Sequence, residues 1–171
     1  LLGILQGVTL SPEDLMLTRG SPDLRRSVLN LYISQYDPLY VYHLLRYQKA
    51  LKQRNALFRF RSLEGIVCWE CELARSAAYL MSKRVEALQE LEENMNLMKE
   101  QWLEQKHEVK LIYRHGFKNF QEEDITRELE RSREKDRVMG YTRIGAQRDD
   151  FSFYLNGQEV RYFASEGQQR G

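Results

Sequence analysis

The chain has 171 residues, enough to bury one substantial core. Its 26 basic and 25 acidic side chains leave a formal net charge of +1, which excludes polyanion binding driven by overall charge. No run of about 20 apolar residues reads as a membrane span, and two cysteines without a secretory signal point to a reducing, cytosolic setting rather than a disulfide scaffold.

The first ten residues carry an apolar run with Gly3 and Gly7, read as a strand and its exit. Ser11-Pro12, Ser21-Pro22 and Asp37-Pro38 each place a capping side chain before a proline, whose missing N–H costs nothing at the first helical position. They predict three helix starts, with Gly20 ending the first helix and the third running to about Arg61. Gly65 interrupts the pattern. Beyond it Leu73, Ala77, Leu80, Arg84, Leu88, Leu91, Met95, Met98 and Trp102 step by three or four, predicting one helix from about Ile66 to Gln105. It would be roughly 60 Å long and would pair with the third helix as an antiparallel arm. A compact bundle satisfies the same periodicity.

His107 to Tyr113 alternates and predicts a strand. Gln121 to Val138 predicts a highly charged helix, read as a solvated face held by i,i+4 pairs, with Gly140 at its C-terminus. Tyr141 to Gln147 reads as a short strand, followed by the polar cluster Arg148-Asp149-Asp150. Phe151, Phe153 and Leu155 then alternate up to Asn156-Gly157, a strong turn signal for a hairpin, with Val160 and Tyr162 alternating on the way back. A polar loop, Ser165 to Arg170, follows. The expected class is α+β, predominantly helical, in three segments: 1–36, a helical arm over 37–106, and 107–171 with strand, charged helix, hairpin and loop.

Charge is unevenly placed. Arg46, Lys49, Lys52, Arg54, Arg59 and Arg61 fall in a stretch without an acid, a stripe suited to sequence-independent phosphate contacts. Tyr40, Tyr42, Tyr47, Phe58 and Phe60 are interleaved with it and are read as core rather than as base-stacking platforms. Cys68-Trp69-Glu70-Cys71 matches C-x-x-C, the spacing of a redox pair or of half a zinc site. With no second pair and no histidine at ligand spacing, the two cysteines are expected to fill packing positions.

Three segments carry motifs. The first holds Ser11-Pro12-Glu13-Asp14-Leu15, Gly20-Ser21-Pro22, Arg25-Arg26 and Leu29-Asn30. The second holds Tyr47 and Leu51-Lys52-Gln53-Arg54-Asn55. The third holds Gly145-Ala146-Gln147-Arg148-Asp149-Asp150 and Ser165-Glu166-Gly167-Gln168-Gln169-Arg170. Together they resemble the RecF family of DNA-repair ATPases, whose patterns have Leu-Asp where Leu29-Asn30 stands, Gly-Pro-His-Arg-Asp-Asp at 145–150 and Ser-Gln-Gly-Gln-Gln-Arg at 165–170.

The resemblance implies a helical arm attached to part of an ABC-type ATPase head. The loop after the hairpin resembles the signature motif of such ATPases, which contacts the γ-phosphate of ATP on the partner subunit. Ser165, Gly167, Gln168 and Arg170 are the implied contacts. A hydroxyl and backbone N–H groups at a helix start make an anion site, and Ser-x-x-Gln there would equally make a cap. Arg148, Asp149 and Asp150, with Arg25 and Arg26, are candidates for dimer or head contact; a salt-bridged turn is the alternative for Arg148 and Asp150. The basic stripe is the implied contact to DNA, single-stranded or gapped duplex.

Neither a G-x-x-x-x-G-K-[ST] loop nor a Walker B strand occurs. The chain is therefore expected to be the central part of a longer protein that binds ATP and Mg2+ mainly through other segments, and not to hydrolyse ATP alone. No catalytic residue and no metal ligand is assigned within it. The resemblance further implies an ATP-dependent homodimer, mediators of the RecR and RecO type, and roles in replication and the SOS response. The rivals are a head fragment of an SMC-like or Rad50-like ATPase, which needs a far longer coiled coil, a helical-hairpin adaptor with no nucleotide link, and a redox module on Cys68 and Cys71.

Overall fold

The computed structural model describes residues 16–102 and 108–163. The predicted first strand, the start at Pro12 and the loop 165–170 lie outside the described residues. The elements run α1 (Met16–Arg19), α2 (Pro22–Ser34), α3 (Pro38–Arg59), α4 (Ile66–Trp102), β1 (Val109–Arg114), α5 (Glu122–Met139), β2 (Asp150–Leu155), β3 (Gln158–Glu159) and α6 (Val160–Phe163). Over the described residues the fold is α+β and mainly helical, with a three-stranded antiparallel sheet in the order β1-β2-β3. Two compact units divide the chain: Tyr36–Arg84 with His115–Asp149, and the remainder. α4 contributes its first half to one and its second half to the other.

The proline starts behave as their chemistry dictates. Ser21 accepts from the Leu24 N–H at 3.4 Å and Asp37 from the Tyr40 N–H at 3.0 Å, each ahead of a proline at the first helical position. At the other end of α5, Gly140 has φ 76 and donates its N–H to the Asp136 carbonyl. α3 stops two residues earlier than predicted, because Arg61 turns to φ 54.

In the unit built on α3, that helix and the first half of α4 run antiparallel. Tyr40 meets Arg84, His43 meets Ser76, Arg46 meets Glu72 and Arg54 meets Glu70. α5 packs on α3. The core takes Tyr40, Tyr47, Ala50 and Phe58 from α3, Leu73, Ala77 and Leu80 from α4, and Ile125 and Leu129 from α5. α5 departs from the solvated-face expectation. Its surface pairs are i,i+3, as Arg131 with Glu128 and Arg137 with Glu134, and Asp136 is completely buried.

In the other unit, β1 pairs with β2 in register from Val109↔Leu155 to Arg114↔Asp150. The free edge of β1 is occupied by side chains of α4. Asn96 accepts the Val109 N–H at 3.0 Å and donates to its carbonyl at 2.9 Å, and Glu92 accepts the Leu111 N–H at 2.6 Å. An edge strand so covered presents no open ladder to another chain. The hairpin forms at Asn156 (φ 51) and Gly157 (φ 78), the two positive angles a type I′ turn requires. The returning strand is shorter than predicted: only Gln158 and Glu159 pair, and the chain turns into α6 at Val160, which is buried, leaving Tyr162 exposed. The seam of α4 also fades along this half. Leu88 is buried, Leu91 and Met95 are half-buried, and Met98 is exposed.

Candidate functional site

The segment Tyr141 to Gln147 is not a strand. It is an irregular loop whose backbone is held by side chains rather than by a ladder. Asn55 accepts both the N–H and the hydroxyl of Thr142 at 2.7 Å. The Gln147 amide donates to the carbonyls of Thr142 (3.2 Å) and Ile144 (3.0 Å), while its oxygen accepts the Tyr47 hydroxyl. Burial pushes the Tyr47 phenol well above its ordinary value, so it remains a donor throughout the neutral range. Gly145 sits at φ 131, and any Cβ there would fall on the Tyr47 hydroxyl. The Ala146 carbonyl accepts from Arg84 at 2.7 Å.

Arg84, the polar interruption of the α4 seam, is a buried anchor. It donates to Ala146, to the Tyr40 hydroxyl at 3.1 Å and to Asp149 at 3.3 Å. Asp149 is itself 1% exposed. Arg148 points outward and lies over the Tyr141 ring at 5.3 Å.

Arg25 and Asp150 form a two-pronged pair between α2 and β2, with Arg25 Nε to Oδ1 at 2.6 Å and Nη2 to Oδ2 at 2.8 Å. Arg25 is buried and also donates to the Gly20 carbonyl at 2.9 Å. Of the residues expected at a dimer or head contact, Arg25 and Asp149 are buried and Asp150 is half-buried, each engaged within its own unit. Arg26, half-buried, pairs with Asp23 one turn back.

The basic stripe divides. Lys49, Lys52, Arg59 and Arg61 are exposed. Arg46 is exposed but holds Glu72 through two bonds of 2.5 Å, which keep that carboxylate below its usual range. Arg54 does not belong to the stripe. Its side chain is 0% exposed and reaches Glu70 at 3.0 Å, Asp136 at 2.7 Å, the Thr142 hydroxyl at 2.8 Å and the Leu129 carbonyl at 2.9 Å. Glu70 also takes Arg133, and Asp136 takes Ser132 at 2.7 Å and Arg143 at 3.3 Å. A side chain so enclosed has no route to an external phosphate. Among the interleaved aromatics Tyr40, Tyr47 and Phe58 are core as expected, whereas Tyr42 and Phe60 are exposed.

His43, beside Arg46, stacks on Tyr79 with ring centroids 4.5 Å apart and lies 3.4 Å from the Ser76 hydroxyl. Burial pushes its pKa below the ordinary 6.5. The folded state thus binds this proton less readily than the unfolded chain does, so the contribution is intact above pH 6.5 and is lost as pH falls through the lowered value. His43→Phe should flatten the fall in urea midpoint between about pH 7 and 5. An unchanged slope would remove His43 from the account.

The cysteines correct another expectation. Cys68 and Cys71 are both free and both exposed. The buried stripe of α4 runs through Ile66, Glu70, Leu73, Ala77 and Leu80 instead. Ser165, Gly167, Gln168 and Arg170 lie outside the described residues.

This loop-and-clamp arrangement can be set beside known proteins. Over 99% of its length the chain is 40% identical to the DNA replication and repair protein RecF of Protochlamydia amoebophila, covering 49% of that protein. It is 38% identical over 99% of its length to that of Moorella thermoacetica, covering 46%, and 36% identical over 98% to that of Geobacter sulfurreducens, covering 48%. No family model matches. The solved structures of the recombination mediator protein RecF-ATPrS and RecF-ATP in the RecFOR pathway each align with 99% of the chain at TM-score 0.87 and 29% identity, over 48% of their own length.

The chain belongs to the RecF family. It spans about half the length of the curated relatives it matches. Its two departures from the RecF pattern before Arg148 are both engaged: Ala146 receives Arg84, and Gln147 ties Tyr47 to the loop. The sequence singles out neither Glu70 nor Asp136, and for Tyr47 it gives core burial but not the bond to Gln147. Glu70 and Tyr47 share helix faces with apolar positions, which is the signal that marks them as internal. Among the described residues no helix is long and apolar enough to cross a membrane.

Proposed function

We propose that the chain is a working part of a DNA replication and repair ATPase of the RecF type, in which ATP binding drives two copies together around DNA. The observation that carries this reading is the alignment of nearly the whole chain, at TM-score 0.87, with RecF solved in ATP-bound form. Ser165, Gly167, Gln168 and Arg170 contact the γ-phosphate of ATP held with Mg2+ by the partner subunit. The phosphate-binding and hydrolytic machinery lies elsewhere in the full-length protein. Lys49, Lys52, Arg59 and Arg61 supply salt-sensitive contacts to gapped or single-stranded DNA, with Arg46 available to them only by giving up Glu72. The buried arginines Arg25, Arg54 and Arg84 fix the scaffold that presents these surfaces. The assembly acts in the cytoplasm with RecO-type and RecR-type mediators to help load recombinase, and takes part in the SOS response.

The test is the mass in solution of the full-length protein with and without ATP and magnesium. ATP should convert the wild type from monomer to dimer, whereas Ser165→Arg, which places a bulky cation where a small hydroxyl is required, should stay monomeric. If both proteins respond alike, Ser165 is a helix cap and the trans-contact reading falls.

A further inference from the structure

The helical unit carries a nucleophilic pair that the ATPase reading does not use. Cys68 and Cys71 stand three residues apart at the start of α4, free and exposed. Three residues bring two side chains onto one face of a helix, with Cβ atoms about 5–6 Å apart. A disulfide needs about 3.5–4.5 Å, so closing one draws the turn in by roughly 1–2 Å. Cys68 also opens onto a groove of about 320 Å³, lined by Leu45, Arg46, Lys49, Trp69 and Glu72 besides Cys68 itself. The groove offers an apolar wall in Leu45 and Trp69, and an excess of positive charge, since Arg46 and Lys49 face a single carboxylate, Glu72. Among the described residues Lys49 makes no ion pair.

We propose that Cys68 and Cys71 form a thiol–disulfide exchange site, and that the groove seats a small disulfide bearing carboxylates. The Cys68 thiolate attacks one sulfur of the incoming disulfide RSSR, forming Cys68–S–S–R and expelling RS⁻, which takes up the proton Cys68 gave up. Cys71 then attacks the Cys68 sulfur as a thiolate and expels the second RS⁻, which is protonated in turn. The protein loses two electrons and two protons, and RSSR becomes two RSH. The turn that tightens carries Glu70, the shared carboxylate of Arg54 and Arg133. Oxidation therefore strains the segment that anchors the buried ionic cluster.

The test uses the reduced full-length protein and oxidised glutathione, followed by intact mass and peptide mapping. Wild type should pass through a one-tripeptide adduct on Cys68 to a Cys68–Cys71 disulfide. Cys71→Ser should stop at the adduct, and Cys68→Ser should react at least about threefold more slowly. Lys49→Glu should slow the reaction with oxidised glutathione about threefold, the scale of one exposed charge contact, and leave the uncharged 2-hydroxyethyl disulfide unaffected. The proposal is overturned if wild type forms no Cys68–Cys71 disulfide, if the two serine variants react equally fast, or if Lys49→Glu slows both reagents alike.

Discussion

Replacing Arg54 with alanine should cost the full-length protein about 3–5 kcal/mol of stability, the range for removing one partner from a buried ion pair. The guanidinium is wholly buried and bonds Glu70, Asp136, Thr142 and the Leu129 carbonyl. Its removal strands carboxylates that have lost their water and one of their counter-charges, and it opens a cavity beside Phe58, over whose ring the guanidinium carbon sits at 4.7 Å. For a unit of fewer than about 100 residues the loss corresponds to a fall in Tm of roughly 12–40 °C. The stranded charge is separable from the cavity. Arg54→Met with Asp136→Asn refills part of the space and removes one orphaned carboxylate, so the double variant should unfold at a higher urea concentration than Arg54→Ala. DNA binding supplies the contrast. At a temperature where both fold, Arg54→Ala should bind DNA as the wild type does, while Lys49→Glu with Lys52→Glu should weaken binding and flatten its salt dependence. Normal stability with lost DNA affinity in Arg54→Ala would return the residue to the exposed stripe.

Arg54 also shows what a sequence discloses and what it conceals. Its charge placed it with Lys49, Lys52 and Arg59. Its position, four residues after Ala50 and four before Phe58, placed it on the buried face of α3. Helical periodicity is indifferent to side-chain type, and here it was the better guide. The same holds for Arg84 within the α4 seam, and for Cys68 and Cys71, which fall off the stripe running from Ile66 through Glu70 to Leu73. Features set by neighbours in the chain were legible: the caps at Ser21 and Asp37, the left-handed Gly140, the Asn156-Gly157 turn. Features set by partners far along it were not. Tyr141 to Gln147 read as a strand because no local signal reports that Asn55 will satisfy Thr142, or that Tyr47 will hold Gln147. The return strand from Gly157 failed for a related reason. Val160 is buried as its type demands, but on a turn of helix rather than on a ladder.

Asp150→Ala should produce the second large loss, about 2–4 kcal/mol, because among the described residues it leaves buried Arg25 only the carbonyl oxygens of Leu17 and Gly20 to answer its charge. The figure sits below that for Arg54 because Asp150 keeps 22% of its side-chain surface and water compensates part of the loss. A double-mutant cycle with Arg25→Met isolates the pair, and a coupling of about 1.5–3 kcal/mol is expected for a two-pronged contact at 2.6 and 2.8 Å. Asp150→Asn should fall between, since the amide oxygen still accepts from Arg25 without the charge. The cycle decides what this aspartate of the Arg148-Asp149-Asp150 cluster is for. If it is a joint between α2 and β2, ATP-driven assembly of Asp150→Ala persists at temperatures well below its unfolding midpoint, and the defect disappears whenever the fold is intact. If it is a contact between subunits, assembly fails while the urea midpoint stays put and the coupling to Arg25 vanishes. The bonds to Arg25 occupy both carboxylate oxygens, and Asp150 Oδ1 accepts the Phe151 N–H as well at 2.9 Å. A group committed on three sides within its own unit has little left to offer a second chain, so the joint is the expected result.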